Sequence, residues 1–148
     1  MTVTDIYSQL KRDEGGCILH IYPDSRGIDT VYVGHNLEAN PLSDLDFTVE
    51  QGMQVLHDDV DRITAQLLAS IPWLADLQQS DIVRFGIFQN MGFNLGVGGL
   101  MNFHHDLADT QAGRYEQSAQ DMRMSLWYVQ VGARAERLCQ QMRTGLWT

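Results

Sequence analysis

Glu14, Asp24 and Thr30 stand within one short stretch, Asp13-Glu14-Gly15-Gly16-Cys17-Ile18-Leu19-His20-Ile21-Tyr22-Pro23-Asp24-Ser25-Arg26-Gly27-Ile28-Asp29-Thr30. Two carboxyls and a hydroxyl can together cleave a glycosidic bond. One acid protonates the leaving sugar oxygen, a carboxylate activates water, and a hydroxyl holds that water in line. A general acid must keep its proton near neutrality; burial, a neighbouring anion or a helix C-terminus each disfavour the charged form. Taken singly, each residue has a plainer role. Glu14 reads as a surface carboxylate beside Asp13, Asp24 as a turn former in Pro-Asp-Ser-Arg-Gly, and Thr30 as β-branched strand filling. Their chemistry depends on being brought together.

The elements that must do this can be read from the spacing. Residues 4–14 predict a short amphipathic helix with Thr4 as N-cap, Ile6, Tyr7 and Leu10 on one side, and Gly15-Gly16 as its stop. Residues 17–22 alternate as a strand with Cys17, Leu19 and Ile21 on one face. Pro23-Asp24-Ser25-Arg26-Gly27 turns the chain, and residues 30–33 return as a second strand, making a small hairpin. Thr48 and Gln51 resemble a capping box. Val49, Met53, Leu56, Val60, Ile63 and Leu67 then recur at helical spacing until Ile71-Pro72 ends the helix near Ser70. Another helix starts near Ser80 and runs into Gly96, Gly98-Gly99 makes a turn, and shorter helices cover 101–108, 114–125 and 133–142. The expected architecture is α+β and mainly α. It is a single domain over 1–148, with lobes at 1–47 and 71–148 joined by the helix 48–70.

At 148 residues, with 44% hydrophobic and 20% charged content, the chain fits one domain with its own core. No apolar run approaches a membrane span. The first residues lack a basic flank and an apolar stretch, so a secretory signal is not visible and a cytoplasmic location is expected until something releases the protein. Cys17 and Cys139 lie far apart with no metal-ligand spacing and read as reduced thiols. The formal net charge is −9, although residues 111–148 carry five arginines against three acids. This balance argues against nucleic acid and against direct binding to anionic membranes. His104-His105 and Asp58-Asp59-Val60-Asp61 are not spaced as metal sites, and Gly96-Val97-Gly98-Gly99 follows a helix, so it reads as a turn and not a phosphate cradle. Neither a metal nor a cofactor is expected.

Five segments, in order, resemble the phage-type (T4-like) lysozymes of glycoside hydrolase family 24. They are Asp13-Glu14-Gly15; Tyr22-Pro-Asp24-Ser-Arg-Gly27 with Thr30-Val-Tyr-Val-Gly34-His35-Asn36; Asn90-Met-Gly-Phe93-Asn-Leu-Gly96; Trp127-Tyr128 with Arg134-Ala-Glu-Arg137; and Arg143-Thr-Gly-Leu-Trp147. The resemblance covers nearly the whole chain. It implies a two-lobed lysozyme-like fold with the glycan between the lobes. It further implies hydrolysis of the β-1,4 bond between N-acetylmuramic acid and N-acetylglucosamine in bacterial peptidoglycan, with inversion at the anomeric carbon.

An endolysin role at host lysis follows from the resemblance. The protein would be a monomer held in the host cytoplasm and dependent on a holin to reach the wall, and a virion-associated role is also compatible. On the same basis Glu14 is the candidate general acid, Asp24 the base or electrostatic stabiliser, and Thr30 the residue that holds the water. Asn36, Phe93 and Trp127 are candidates for substrate binding. Arg134 is expected to pair with Asp13 or Glu14 in a structural role, chiefly through Asp13, and His35 with Asp59 as scaffold.

Three departures from the family pattern bear on this reading. The interval from Glu14 to Asp24 is one residue longer, which predicts a bulge or longer turn at Gly16 or Cys17. Tyr32 replaces a family glycine, so the backbone there must be ordinary β or the side chain must fill new space. Asp106 and Asp121 stand at positions that are neutral and contact sugar in the family. The alternatives to an active muramidase are a lysozyme-like module that binds glycan without cleaving it and a helical interaction protein with no glycan ligand.

Overall fold

A computed structural model describes residues 2–148. The first helix, α1 (Ile6–Asp13), is capped one residue later than the sequence suggests. Asp5, not Thr4, accepts the Ser8 N–H, and Ser8 answers through the Asp5 backbone, so the capping box is Asp-Ser. Its other end is a Schellman turn: Gly16 N–H reaches Lys11 O at 2.7 Å and Gly15 N–H reaches Arg12 O at 3.1 Å, with Gly15 at φ 84°. Only glycine takes that conformation without strain, and it leaves Glu14 as the C-cap.

The chain then forms a three-stranded antiparallel sheet ordered β1 (Ile18–Pro23), β2 (Asp29–Tyr32), β3 (His35–Asn36). The third strand is an addition to the expected hairpin; two residues are too short for a periodicity to show. The register runs Ile18 to Tyr32 and then Tyr22 to Thr30, with the irregularity inside β1. The extra length is therefore absorbed within the strand, and not at Gly16 or Cys17 as the sequence suggests. Leu19 and Ile21, which alternation places on one face of β1, are exposed, because the sheet packs through β2.

Tyr32 lies at φ 58° and is fully buried, so the ordinary-β alternative fails and the space-filling one holds. Its hydroxyl bonds to Gln51 and accepts the Phe47 N–H at 3.1 Å, which ties the loop before α2 to the sheet.

Helix α2 (Val49–Ser70) starts at the Thr48 cap and links the two halves. Val55, Leu56 and Val60 face the N-terminal clusters with Ile6, Leu10, Val31 and Val33, while Ile63 and Leu67 face the main core. That core is built by α3 (Leu74–Ser80), α4 (Ile82–Leu95), α5 (Val97–Leu100), α6 (His104–Gln111), α7 (Tyr115–Arg123), α8 (Leu126–Val131) and α9 (Ala133–Thr144). Three of these correct the expected elements. The one-turn α5 occupies the supposed Gly98-Gly99 turn, and α3 and α8 are short helices that the pattern left as connections. The result is a mainly helical α+β fold with a small sheet near its N-terminus. Among the described residues no helix is long and apolar enough to cross a membrane.

Candidate active site

The Schellman turn sets Glu14 at the edge of the sheet. A Cβ on Gly34 would stand 2.8 Å from Glu14 Oε2, so the carboxylate rests directly on the Gly34 main chain, which itself sits at φ 60°. From the opposite side Arg134 Nη1 donates to Glu14 Oε1 at 3.0 Å. Arg134 Nε lies 3.7 Å from Asp13 and donates to Asn90 Oδ1 at 3.0 Å. Its nearer carboxylate is thus Glu14, whereas the close α9 partner of Asp13 is Arg137, at 3.0 Å.

Asp13 is the centre of a network between α1, α4 and α9. Its side chain is 1% exposed. Burial alone would raise its pKa, but Asn90, Arg12, Arg134 and Arg137 together hold it below the usual carboxylate range. Gln9, also fully buried, accepts from Asn90 at 3.0 Å and donates to Gln141 at 2.6 Å. Neutral amides between charged groups satisfy most of the buried polar atoms of this interface, although Arg134 Nη2 and Arg137 Nε are buried without a partner.

Across the sheet, Asp24 and Thr30 are both fastened to Ile28. Ile28 N–H and Arg26 N–H donate to Asp24 Oδ1 at 2.9 and 2.8 Å, and the Thr30 hydroxyl donates to Ile28 O at 2.8 Å. The Ile28 N–H is the main reason the Asp24 pKa is lowered; the Arg26 N–H and charge add to it against slight desolvation. Asp24 is therefore ionised at neutral pH, with one oxygen committed to the turn. Thr30 is buried, and with its proton given to Ile28 its lone pairs remain to accept.

Tyr22 senses both carboxylates. Burial raises its hydroxyl pKa first, and the charges of Glu14 and Asp24 raise it further, which places it in the field of both carboxylates. Tyr22, Gly34 and Asn90 belong to motifs to which the sequence alone assigns no part in the site. The usable signal was Gly34 immediately before His35, a glycine where a strand would tolerate any side chain.

The remaining candidates fall further out. Asn36 turns its carbonyl oxygen to its own loop, accepting from Glu38 and Ala39 N–H at 2.9 and 2.8 Å. Phe93 packs against both main clusters, at the junction of the halves. Trp127 is only 5% exposed and belongs mainly to the core; its Nε1 donates to Asn94 Oδ1 at 3.0 Å. His35 Nδ1 lies 2.7 Å from Asp59 Oδ2, and its Nε2 lies 2.7 Å from Asn40 O. Both ring nitrogens face acceptors, which requires both to carry protons. Burial works against that cation, but Asp59 outweighs it and the His35 pKa is raised overall.

The sequence profile of the phage lysozyme family matches residues 12–143. Among curated proteins, the chain is 31% identical over 160 residues to the pre-baseplate central spike protein Gp5 of Enterobacteria phage T4, covering 92% of this chain. The chain spans only 27% of that protein's length. It is also 24% identical over 164 residues to probable T4-type lysozyme 1 of Dictyostelium discoideum, covering 97% of this chain and 96% of the relative.

Proposed function

The chain belongs to the phage lysozyme family, and from that premise we propose that it is a muramidase: it hydrolyses the β-1,4 bond between N-acetylmuramic acid and N-acetylglucosamine in peptidoglycan, with inversion. The observation that carries this reading is the fastening of Asp24 and Thr30 to one residue, Ile28. Water bound there gives one hydrogen to the free oxygen of Asp24 and the other to Thr30. Its lone pair is then free to attack a sugar carbon.

The step balances as follows. Glu14 gives its proton to the bridging oxygen as the bond from the anomeric carbon to that oxygen breaks. The water oxygen bonds to the same carbon from the opposite face, and its proton passes to Asp24. Solvent then returns the proton to Glu14. Arg134 positions the Glu14 carboxyl against Gly34. Phe93, with the exposed edge of Trp127, would form part of the wall along which the glycan lies, and Asn36 has its amide nitrogen left to offer.

Release of new reducing ends from purified peptidoglycan tests the reading, using wild type and Glu14→Gln. Release by wild type alone supports the hydrolase. Binding without release by either protein would leave the non-cleaving module in its place. Similarity to a spike protein supports a second setting, a virion-associated enzyme that opens the wall during infection, beside an endolysin that needs a holin at lysis. Immunodetection of the protein in purified particles separates the two.

A further inference from the structure

Arg134, which braces Glu14 against Gly34, is itself held by few bonds. Its Nη1 donates to Glu14 at 3.0 Å and its Nε to Asn90 Oδ1 at 3.0 Å. Its Nη2 is buried without a partner, and its Nε stands 3.7 Å from Asp13, too far for a hydrogen bond. Two bonds therefore set the plane of the guanidinium, and one of them is made by a neutral amide. Whatever orients Asn90 orients Arg134.

The Asn90 amide nitrogen gives one hydrogen to Asp13 and the other to Gln9 Oε1, both at 3.0 Å. Gln9 Nε2 donates to Gln141 Oε1 at 2.6 Å, and Gln141 Nε2 donates to the Val83 carbonyl at 2.7 Å. Gln9, Asn90 and Gln141 are fully buried, one each on α1, α4 and α9. The direction of this chain of amides is fixed at its ends. Arg134 can only donate, whereas the Val83 carbonyl and the ionised Asp13 can only accept. Turning any one amide around would set donor against donor and acceptor against acceptor, away from water, so one arrangement is allowed.

Joining three helices does not require this. Replacing both partners of a buried hydrogen bond by apolar groups of the same shape is nearly neutral for stability. An apolar trio could not, however, tell Asn90 which way to face.

We propose that Gln9 is a positioning residue for the cleavage reaction: its carbonyl oxygen holds Asn90 in the orientation that fixes Arg134, and through Arg134 the Glu14 carboxyl. This rests on the reading of Glu14 as the acid of a peptidoglycan hydrolase. Gln9 touches neither the substrate nor the reacting atoms. Without it, Asn90 keeps Asp13 alone as acceptor and can rotate about its soft terminal torsion. Arg134 Nε then turns toward Asp13 and draws Nη1 off Glu14.

The test compares Gln9→Met with Gln89→Met on soluble glycan fragments. Gln89 is also a buried amide of α4, but it donates to Thr64 Oγ1 on α2 at 3.0 Å and lies outside the chain of amides. Both variants should melt below wild type. Only Gln9→Met should lower kcat, by about tenfold with KM unchanged, which is the pattern of a misplaced reacting group and not of lost binding. In an Asn90→Ala background, adding Gln9→Met should change kcat no further. Equal kcat losses in the two Met variants would overturn the proposal, as would a second full loss in the Asn90→Ala background. Should Gln9→Met not fold, Gln9→Asn, which withdraws the oxygen by one methylene, carries the same expectation.

The Arg134 Nε–H resonance supplies a readout that does not depend on turnover. It should move in Gln9→Met and stay in place in Gln89→Met; a resonance unmoved in both refutes the link from Gln9 to Arg134. Failure of wild type to release reducing ends would remove the hydrolase reading, while this shift would still decide whether Gln9 governs Arg134.

Discussion

Asp24 and Thr30 are joined through the main chain of a single residue: Ile28 donates to Asp24 Oδ1 at 2.9 Å and accepts the Thr30 hydroxyl at 2.8 Å. The turn thereby fixes a carboxylate and a hydroxyl relative to each other before any substrate arrives, which is the preorganisation that positioning a water requires. Thr30→Val should cut turnover by roughly 100-fold, within the usual range for lost acid–base assistance, while costing only about 1 kcal/mol of stability for the lost bond to Ile28. Thr30→Ser should recover most of the activity. Reducing-end assays and thermal denaturation check both.

Glu14 is held by what Gly34 lacks. Gly34→Ala places a Cβ 2.8 Å from the Glu14 carboxylate and asks alanine to adopt φ 60°. Gly27→Ala carries the same kind of backbone strain at φ 78° with nothing within 4 Å. Both should lose about 1–2 kcal/mol of stability, but only Gly34→Ala should also lose most activity. Equal activities in the two variants would contradict the placement of Glu14.

Much of this was legible in the sequence, and the reasons it stopped are physical. The long helix α2 could be read because an apolar stripe spans 22 residues between a Thr cap and a proline. The Glu14 position could be read because Gly15-Gly16 can only be a helix stop followed by positive φ. Tyr32 could not. Its φ of 58° is sustained by a packing trio: a Cβ on Gly52 would fall 2.5 Å from Cys17 Sγ and 2.8 Å from the Tyr32 ring. Three residues distant in sequence thus share one space, and only the tertiary structure reveals it. Leu19 and Ile21 alternate correctly but on the face that the sheet leaves open.

Tyr32→Gly sets two effects against each other. Glycine relieves about 1–2 kcal/mol of left-handed strain, whereas deleting a fully buried aromatic costs about 3–5 kcal/mol. Packing should win, and the variant should melt lower than wild type. A higher melting temperature would show that the strain dominates.

The His35–Asp59 pair makes stability depend on pH with a definite sign. Because the folded pKa of His35 is raised, its contribution is fully present below the unfolded value near 6.5 and is lost as pH rises through the folded value. Asp59→Asn should cost about 3 kcal/mol at pH 6 and clearly less at high pH. Denaturant titrations of both proteins across that window check the slope; parallel curves would contradict it.

A net charge of −9 sets this chain against an anionic wall. Raising ionic strength from low to moderate values should first speed digestion by screening that repulsion, before higher salt slows it. A steady fall in lytic rate from the lowest salt onward would be the contrary result.

The central claim is that Asp24 and Thr30 deliver water to the sugar face opposite Glu14. Proton NMR of the earliest products from a defined glycan reads this directly, before mutarotation mixes the anomers. Inversion of the β-linkage gives N-acetylmuramic acid first as the α-anomer, which is the expected result. A β-anomer appearing first would contradict it.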